Sequence, residues 1–242
     1  MANWSDPRTT GATFATAAGT RSAAYDAGLR SYMLSVYNYM ASGVLLTGIV
    51  ALAFAYSGAA AAVMATPLRW VIALSPLAFV MVMSFGMHKL STTALQGLFW
   101  AFAAVMGLSM SAIFLVYTGP SIAITFFATA TAFLALSLYG YTTKRNLQAF
   151  GTFLIMGLVG LIVATLANIF FKSPAINLAI SAIGVLLFAG LTAYDTQRIK
   201  LLYDEVAGTD MMGKVVIMGA LSLYLDFVNM FQFLLSFMGN RE

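Results

Sequence analysis

The chain has 242 residues, 61% of them hydrophobic and 8% charged, whereas a soluble domain carries about 25% charged residues, so a water-exposed globule is excluded. There is no cysteine, which removes a disulfide framework, a thiolate metal site and cysteine redox chemistry. The formal charge of +4 comes from basic residues scattered in ones and twos at the ends of apolar runs, where membrane orientation places them, and not from the clusters that a nucleic-acid partner requires.

In chain order, residues 1–30 hold mostly small residues and lack an apolar core, so they read as a mobile cytoplasmic tail and not as a signal peptide. Residues 31–242 read as one transmembrane bundle. Apolar runs at 33–56, 69–88, 94–117, 121–141, 149–171, 175–197 and 215–238 are each close to the ~20 residues that cross a hydrocarbon core. Seven spanning helices are predicted, an all-α membrane fold. Ser57-Gly58, Pro67, Gly119-Pro120 and Ser173-Pro174 separate them with turn chemistry, and Pro76 inside the second run predicts a kink. With the N-terminus inside, the cytoplasmic side holds Arg8, Arg21, Arg30, Lys89, Lys144, Arg145, Arg198, Lys200 and Lys214, against Arg69, Lys172 and Arg241 outside. That asymmetry predicts N-in and C-out. Trp70, Trp100, Tyr56 and Tyr117 are read as interfacial anchors near span ends.

Two of the eight acidic residues, Asp195 and Asp226, fall within spans. A carboxylate at bilayer depth costs about 2.5–3.5 kcal/mol on insertion scales, so such groups face protein or a water-filled cavity and mark pathways. Ser222, Asp226, Asn229, Gln232 and Ser236 recur every three or four residues on the seventh span, which makes one polar stripe. The sixth span repeats the pattern with Asn177, Ser181, Gly184, Thr192 and Asp195, interrupted by Phe188. Consecutive helices pack antiparallel, and the two aspartates are equidistant from the intervening loop, so they are expected to meet at one depth, towards the cytoplasmic half. Two facing carboxylates in a low-dielectric site share a proton. A calcium ion is an alternative occupant of the same oxygens, bound weakly because it wants about 6 to 8 ligands. A purely structural tie between the two helices is the competing reading. Lys89, beside the sole histidine His88, is the candidate basic group that would hold both carboxylates charged, although taken alone Lys89 reads first as an orientation signal and His88 as an interfacial residue.

The runs LTAYDTQRI (Leu191 to Ile199) and LSLYLDFVNMFQFLL (Leu221 to Leu235) closely resemble the signatures of the Bax inhibitor 1, or transmembrane Bax inhibitor motif, family. Gly107-Leu108-Ser109 resembles its glycine-serine region. The resemblance implies a bacterial inner-membrane member with a central seventh helix between two layers of three. It also implies a pH-sensitive calcium leak whose sensor is an aspartate pair matching Asp195 and Asp226. Bacterial relatives are thought to latch that pair with an arginine from the second span, where this sequence has Lys89. A lysine lacks the bidentate guanidinium, so a looser closed state is expected. Calcium is then a permeant ion and no cofactor is implied.

An adaptor acting on a membrane protease or another membrane complex through the N-terminal tail is the alternative function, which the resemblance also allows. A proton-coupled transporter is disfavoured because no symmetric pair of broken helices frames a substrate site. An enzyme is not expected, given one histidine, no cysteine and no metal spacing.

Overall fold

The computed structural model describes residues 7–240, with side-chain surroundings from residue 23 onward. Among the described residues the chain forms eight α-helices: α1 (Pro7–Tyr56), α2 (Ala59–Met64), α3 (Leu68–Gly86), α4 (Thr92–Met110, extended by a 3-10 turn at Ser111–Leu115), α5 (Gly119–Thr142), α6 (Gln148–Phe171), α7 (Pro174–Val206) and α8 (Met212–Met238). Seven of them are long and apolar enough to cross a membrane, all except the short α2.

The helix ends follow from local chemistry. The Ser91 hydroxyl accepts from the Ala94 amide at the start of α4, and Ser173 does the same for Ile176 at the start of α7, each satisfying an orphan N–H of a first turn. Proline falls in the first turn of α5 and of α7, where a missing N–H costs nothing. Pro76 lies inside α3, and the helix continues through it. Its absent N–H would have bonded the Ile72 carbonyl, and the Ser75 hydroxyl donates to that carbonyl instead, at 2.9 Å.

The helices sort into two groups around α8. α4 packs on α1 and α3, α7 packs on α5 and α6, and α8 touches α1 and α4 on one side and α5 and α7 on the other. It is the most buried of the seven spans, with Leu223, Tyr224 and Ala220 fully enclosed. Lipid tails are as apolar as leucine, so helices associate here through close packing and interhelical hydrogen bonds. Gly140 shows the packing: a methyl group there would collide with the Ala193 carbonyl where α5 crosses α7. The bonding is shown by Thr47 of α1, whose hydroxyl donates to the Ala103 carbonyl of α4 at 2.8 Å and accepts from the Tyr224 hydroxyl of α8 at 2.6 Å.

Two expectations differ from the structure. The stretch read as a tail is helical from Pro7, as part of α1, and Leu29 already belongs to the core; residues 1–6 lie outside the described residues. Trp100 is not near a span end: it sits within α4, its ring 6.2 Å from Tyr39 and 5.6 Å from Phe99, where aromatic packing holds it inside the bundle. Trp70 and Tyr56 are exposed at their helix ends.

Candidate functional site

α7 runs about eleven residues beyond Asp195 before it ends at Val206, and α8 reaches Asp226 about fourteen residues after Met212. At about 1.5 Å rise per residue, both aspartates lie comparably deep from the α7–α8 turn. They line one cavity of ≈ 560 Å³ between α6, α7 and α8. The cavity exists because α6 leans on α7 and scarcely reaches α8. Leu158 and Leu161 of α6 form one wall, and Phe188 and Leu191 of α7 with Leu225 and Phe233 of α8 form the others.

The two carboxylates are treated unequally. Asp195 is 15% exposed, and one of its oxygens stands 3.8 Å from the guanidinium of Arg198, one turn further along α7. Asp226 is 4% exposed, and its Oδ2 is buried without any hydrogen-bond partner. A buried polar atom without a partner costs about 1–3 kcal/mol, and more when it is charged. Such a group calls for a proton, a cation or a water, since no neighbouring side chain donates to it. Asn229 donates one amide N–H to the Leu225 carbonyl at 2.8 Å, and it lines the cavity together with Ser222 of the same helix.

The stripe foreseen on the last helix holds for Ser222, Asp226 and Asn229, all of which line the cavity. Gln232 does not share it and is exposed. Phe233, one residue on, takes that place, because 3.6 residues per turn carries the Asn229 face to 233. Phe188, read as an interruption on α7, is the counterpart of that ring: the two stack with centroids 5.8 Å apart. Gly184 makes room for the ring, since a methyl group there would stand 2.6 Å from Phe233.

Asn177 and Ser181 are not at the acid pair. They form a separate cluster with Ser236, in which the Ser181 hydroxyl lies 2.9 Å from the Ser236 oxygen and the Asn177 amide 3.4 Å from it. Thr192 is fully buried, and its hydroxyl bonds back to the Phe188 carbonyl. Lys89 and His88 are exposed in the turn between α3 and α4, and neither lines the cavity. The basic group that the structure brings to Asp195 is Arg198. Its position three residues after Asp195, a spacing that places two side chains together on one helix face, was the signal in the sequence.

A second recess of ≈ 270 Å³, more polar, opens towards the loop end and is lined by Asn146, Gln148, Gln197 and Glu205 together with Tyr194 and Arg198. Tyr194 and Arg198 border both spaces, so they form the partition between the recess and the acid pair. Tyr194 is seated by α6, where Gly151 leaves no side chain in the way of its ring. Gln197 fixes the floor: its amide oxygen accepts from the Leu147 N–H at 2.8 Å, and its amide nitrogen donates to the Arg145 carbonyl at 2.8 Å. One side chain thereby holds the α5–α6 loop on α7. Among the described residues no group of three or more histidine, cysteine or acidic side chains is placed to hold a metal ion, and a cation at the pair would have to complete its shell from water or backbone.

The pattern of the family described as inhibitor of apoptosis-promoting Bax1 matches residues 29–242. A protein of Caulobacter vibrioides is 48% identical over 231 residues, covering 90% of this chain and 92% of its own. The inner membrane protein YbhL of Escherichia coli is 47% identical over 220 residues, covering 89% of this chain and 94% of its own. A protein of Rickettsia prowazekii is 45% identical over 220 residues, with 90% and 93% covered. With seven apolar helices, two carboxylates on one cavity and a match running from Leu29 to the last residue, the chain belongs to the Bax inhibitor family of multi-pass membrane proteins.

Proposed function

We propose that this protein is a pH-sensitive cation leak, passing calcium, that is gated by protonation of the Asp195–Asp226 pair. The observation that carries the reading is the buried Oδ2 of Asp226, without a partner, on the cavity that Asp195 also lines. An oxygen so placed is stabilised by a proton or a passing cation, which compete for it. Two carboxylates with few further oxygens bind calcium weakly, and weak binding suits passage. Arg198 neutralises one carboxylate and stands on the partition towards the polar recess, where its displacement would connect the two spaces. The bacterial inner membrane, with the N-terminus in the cytoplasm, is the proposed location; YbhL of Escherichia coli is named for that membrane.

The test is calcium flux into proteoliposomes across a pH series for the wild type, Asp195→Asn and Asp226→Asn. The reading expects a pH-dependent flux in the wild type that each substitution flattens. Identical pH dependence in all three would remove the sensor.

A further inference from the structure

Calcium and protons account for the oxygens of the site but not for its size or its walls. A cavity of ≈ 560 Å³ lies within the range of about 300–1,000 Å³ typical of small-molecule sites, whereas a water takes about 30 Å³ of liquid volume. Its surface is mostly hydrocarbon and aromatic ring, from Leu158, Leu161, Phe188, Leu191, Leu225 and Phe233. A doubly charged ion that wants oxygen on all sides gains nothing from such walls.

The charges define the missing occupant more closely. Asp195 and Arg198 are paired, so one negative charge, that of Asp226, remains uncompensated when both acids are ionised, and its Oδ2 has no donor. One positive charge able to donate a hydrogen bond satisfies both needs. The faces of aromatic rings attract cations as well, and the stacked Phe188 and Phe233 line the same space. Access is lateral: Ile155, Ile162 and Leu166 of α6 line the cavity and are exposed on the outer surface of the helix, where the bilayer surrounds a spanning segment. A ligand that partitions into lipid reaches such a mouth without crossing the polar recess.

We propose that this cavity binds a hydrophobic organic monocation, an ammonium group on an aliphatic or aromatic body, with the ammonium on Asp226 and the body against Phe188, Phe233 and the α6 wall. The site is the acid pair on which the leak reading rests, but binding does not require that any ion pass through it.

Equilibrium dialysis of the full-length protein in detergent micelles tests this, with phenylbutylamine as the probe and the uncharged phenylbutanol as its control. Saturable binding of the amine, at least about tenfold tighter than the alcohol, is expected. Asp226→Asn should erase the preference for the amine while the weak alcohol binding persists, and Leu158→Trp, which fills the apolar volume, should weaken both ligands. Equal binding of amine and alcohol by the wild type would mean a slot for an acyl chain only and would overturn the proposal, as would the absence of saturable amine binding; neither result depends on a variant folding. Calcium flux measured separately keeps the two readings apart, since a leak with its pH response intact and no amine preference rejects the organic-cation site alone.

Discussion

Gln197→Leu isolates the amide brace beneath the acid pair. Gln197 is 9% exposed and Leu147 8%, so removing the side-chain oxygen leaves the Leu147 N–H with neither protein nor water to bond. That orphaned donor costs about 1–3 kcal/mol. The Arg145 carbonyl loses its amide donor too, but Arg145 is exposed, so water is a ready substitute and its share is small. Leucine keeps most of the apolar volume, and the expected destabilisation of the α5–α6 loop is about 2 kcal/mol, near the upper end of a 5- to 30-fold shift in a local opening equilibrium. Amide hydrogen exchange at Leu147, measured in micelles, should therefore quicken by about that factor while amides in the middle of α8 keep their protection. Gln197→Glu should restore most of the protection, since a carboxylate still accepts from Leu147 and only the minor bond to the Arg145 carbonyl is lost. Unchanged exchange at Leu147 in Gln197→Leu would refute the brace.

Thr47→Val leaves the enclosed Tyr224 hydroxyl unpaired and should cost about 1–3 kcal/mol, whereas Tyr224→Phe removes one bond and leaves Thr47 on its carbonyl, at about 0.6–1 kcal/mol. Thermal unfolding in detergent checks the order, and Thr47→Val proving the milder change would be wrong for this geometry. Arg198→Gln should alter stability little, since the guanidinium is 58% exposed and such pairs are worth about 0.2–1 kcal/mol, yet it should raise the basal calcium leak. Lys89→Gln, at an exposed turn away from the cavity, should leave that leak unchanged, and the opposite pattern in flux would return the latch to Lys89. Removing residues 1–28 should leave calcium flux intact; a phenotype in cells lost while flux persists would favour an adaptor.

Much of the architecture was legible because lipid imposes a coarse rule, that long apolar segments become helices, and turn residues mark their ends. The centrality of the last span was what the family resemblance implied, whereas the placing of its aspartate on one cavity with that of α7 followed from periodicity and from the symmetric spacing about a loop. What escaped was set by side-chain detail that periodicity averages over. Gln232 and Phe233 are adjacent in sequence, and only the accumulated rotation of α8 decides which of them faces Phe188. Thr192 belongs to the polar pattern of α7, yet its hydroxyl is consumed within its own helix. Arg198 read as an orientation signal because basic residues near helix ends usually are, and its partner lay one turn away. Leu29 and Tyr32 extend the core further towards the N-terminus than the apolar run suggests, because α1 packs against the end of α7: the Tyr32 hydroxyl donates to the Ile199 carbonyl at 3.2 Å.

Whether Asp195 and Asp226 act as one titrating unit is decided most directly by calcium flux against pH in the Asp195→Asn, Asp226→Asn double variant, set beside the two single ones. Carboxylates that share a proton are coupled, and substitutions of coupled groups do not add. The double variant should match either single variant, with no further loss of pH response. Two partial losses that sum in the double variant would show two independent groups and contradict the shared site.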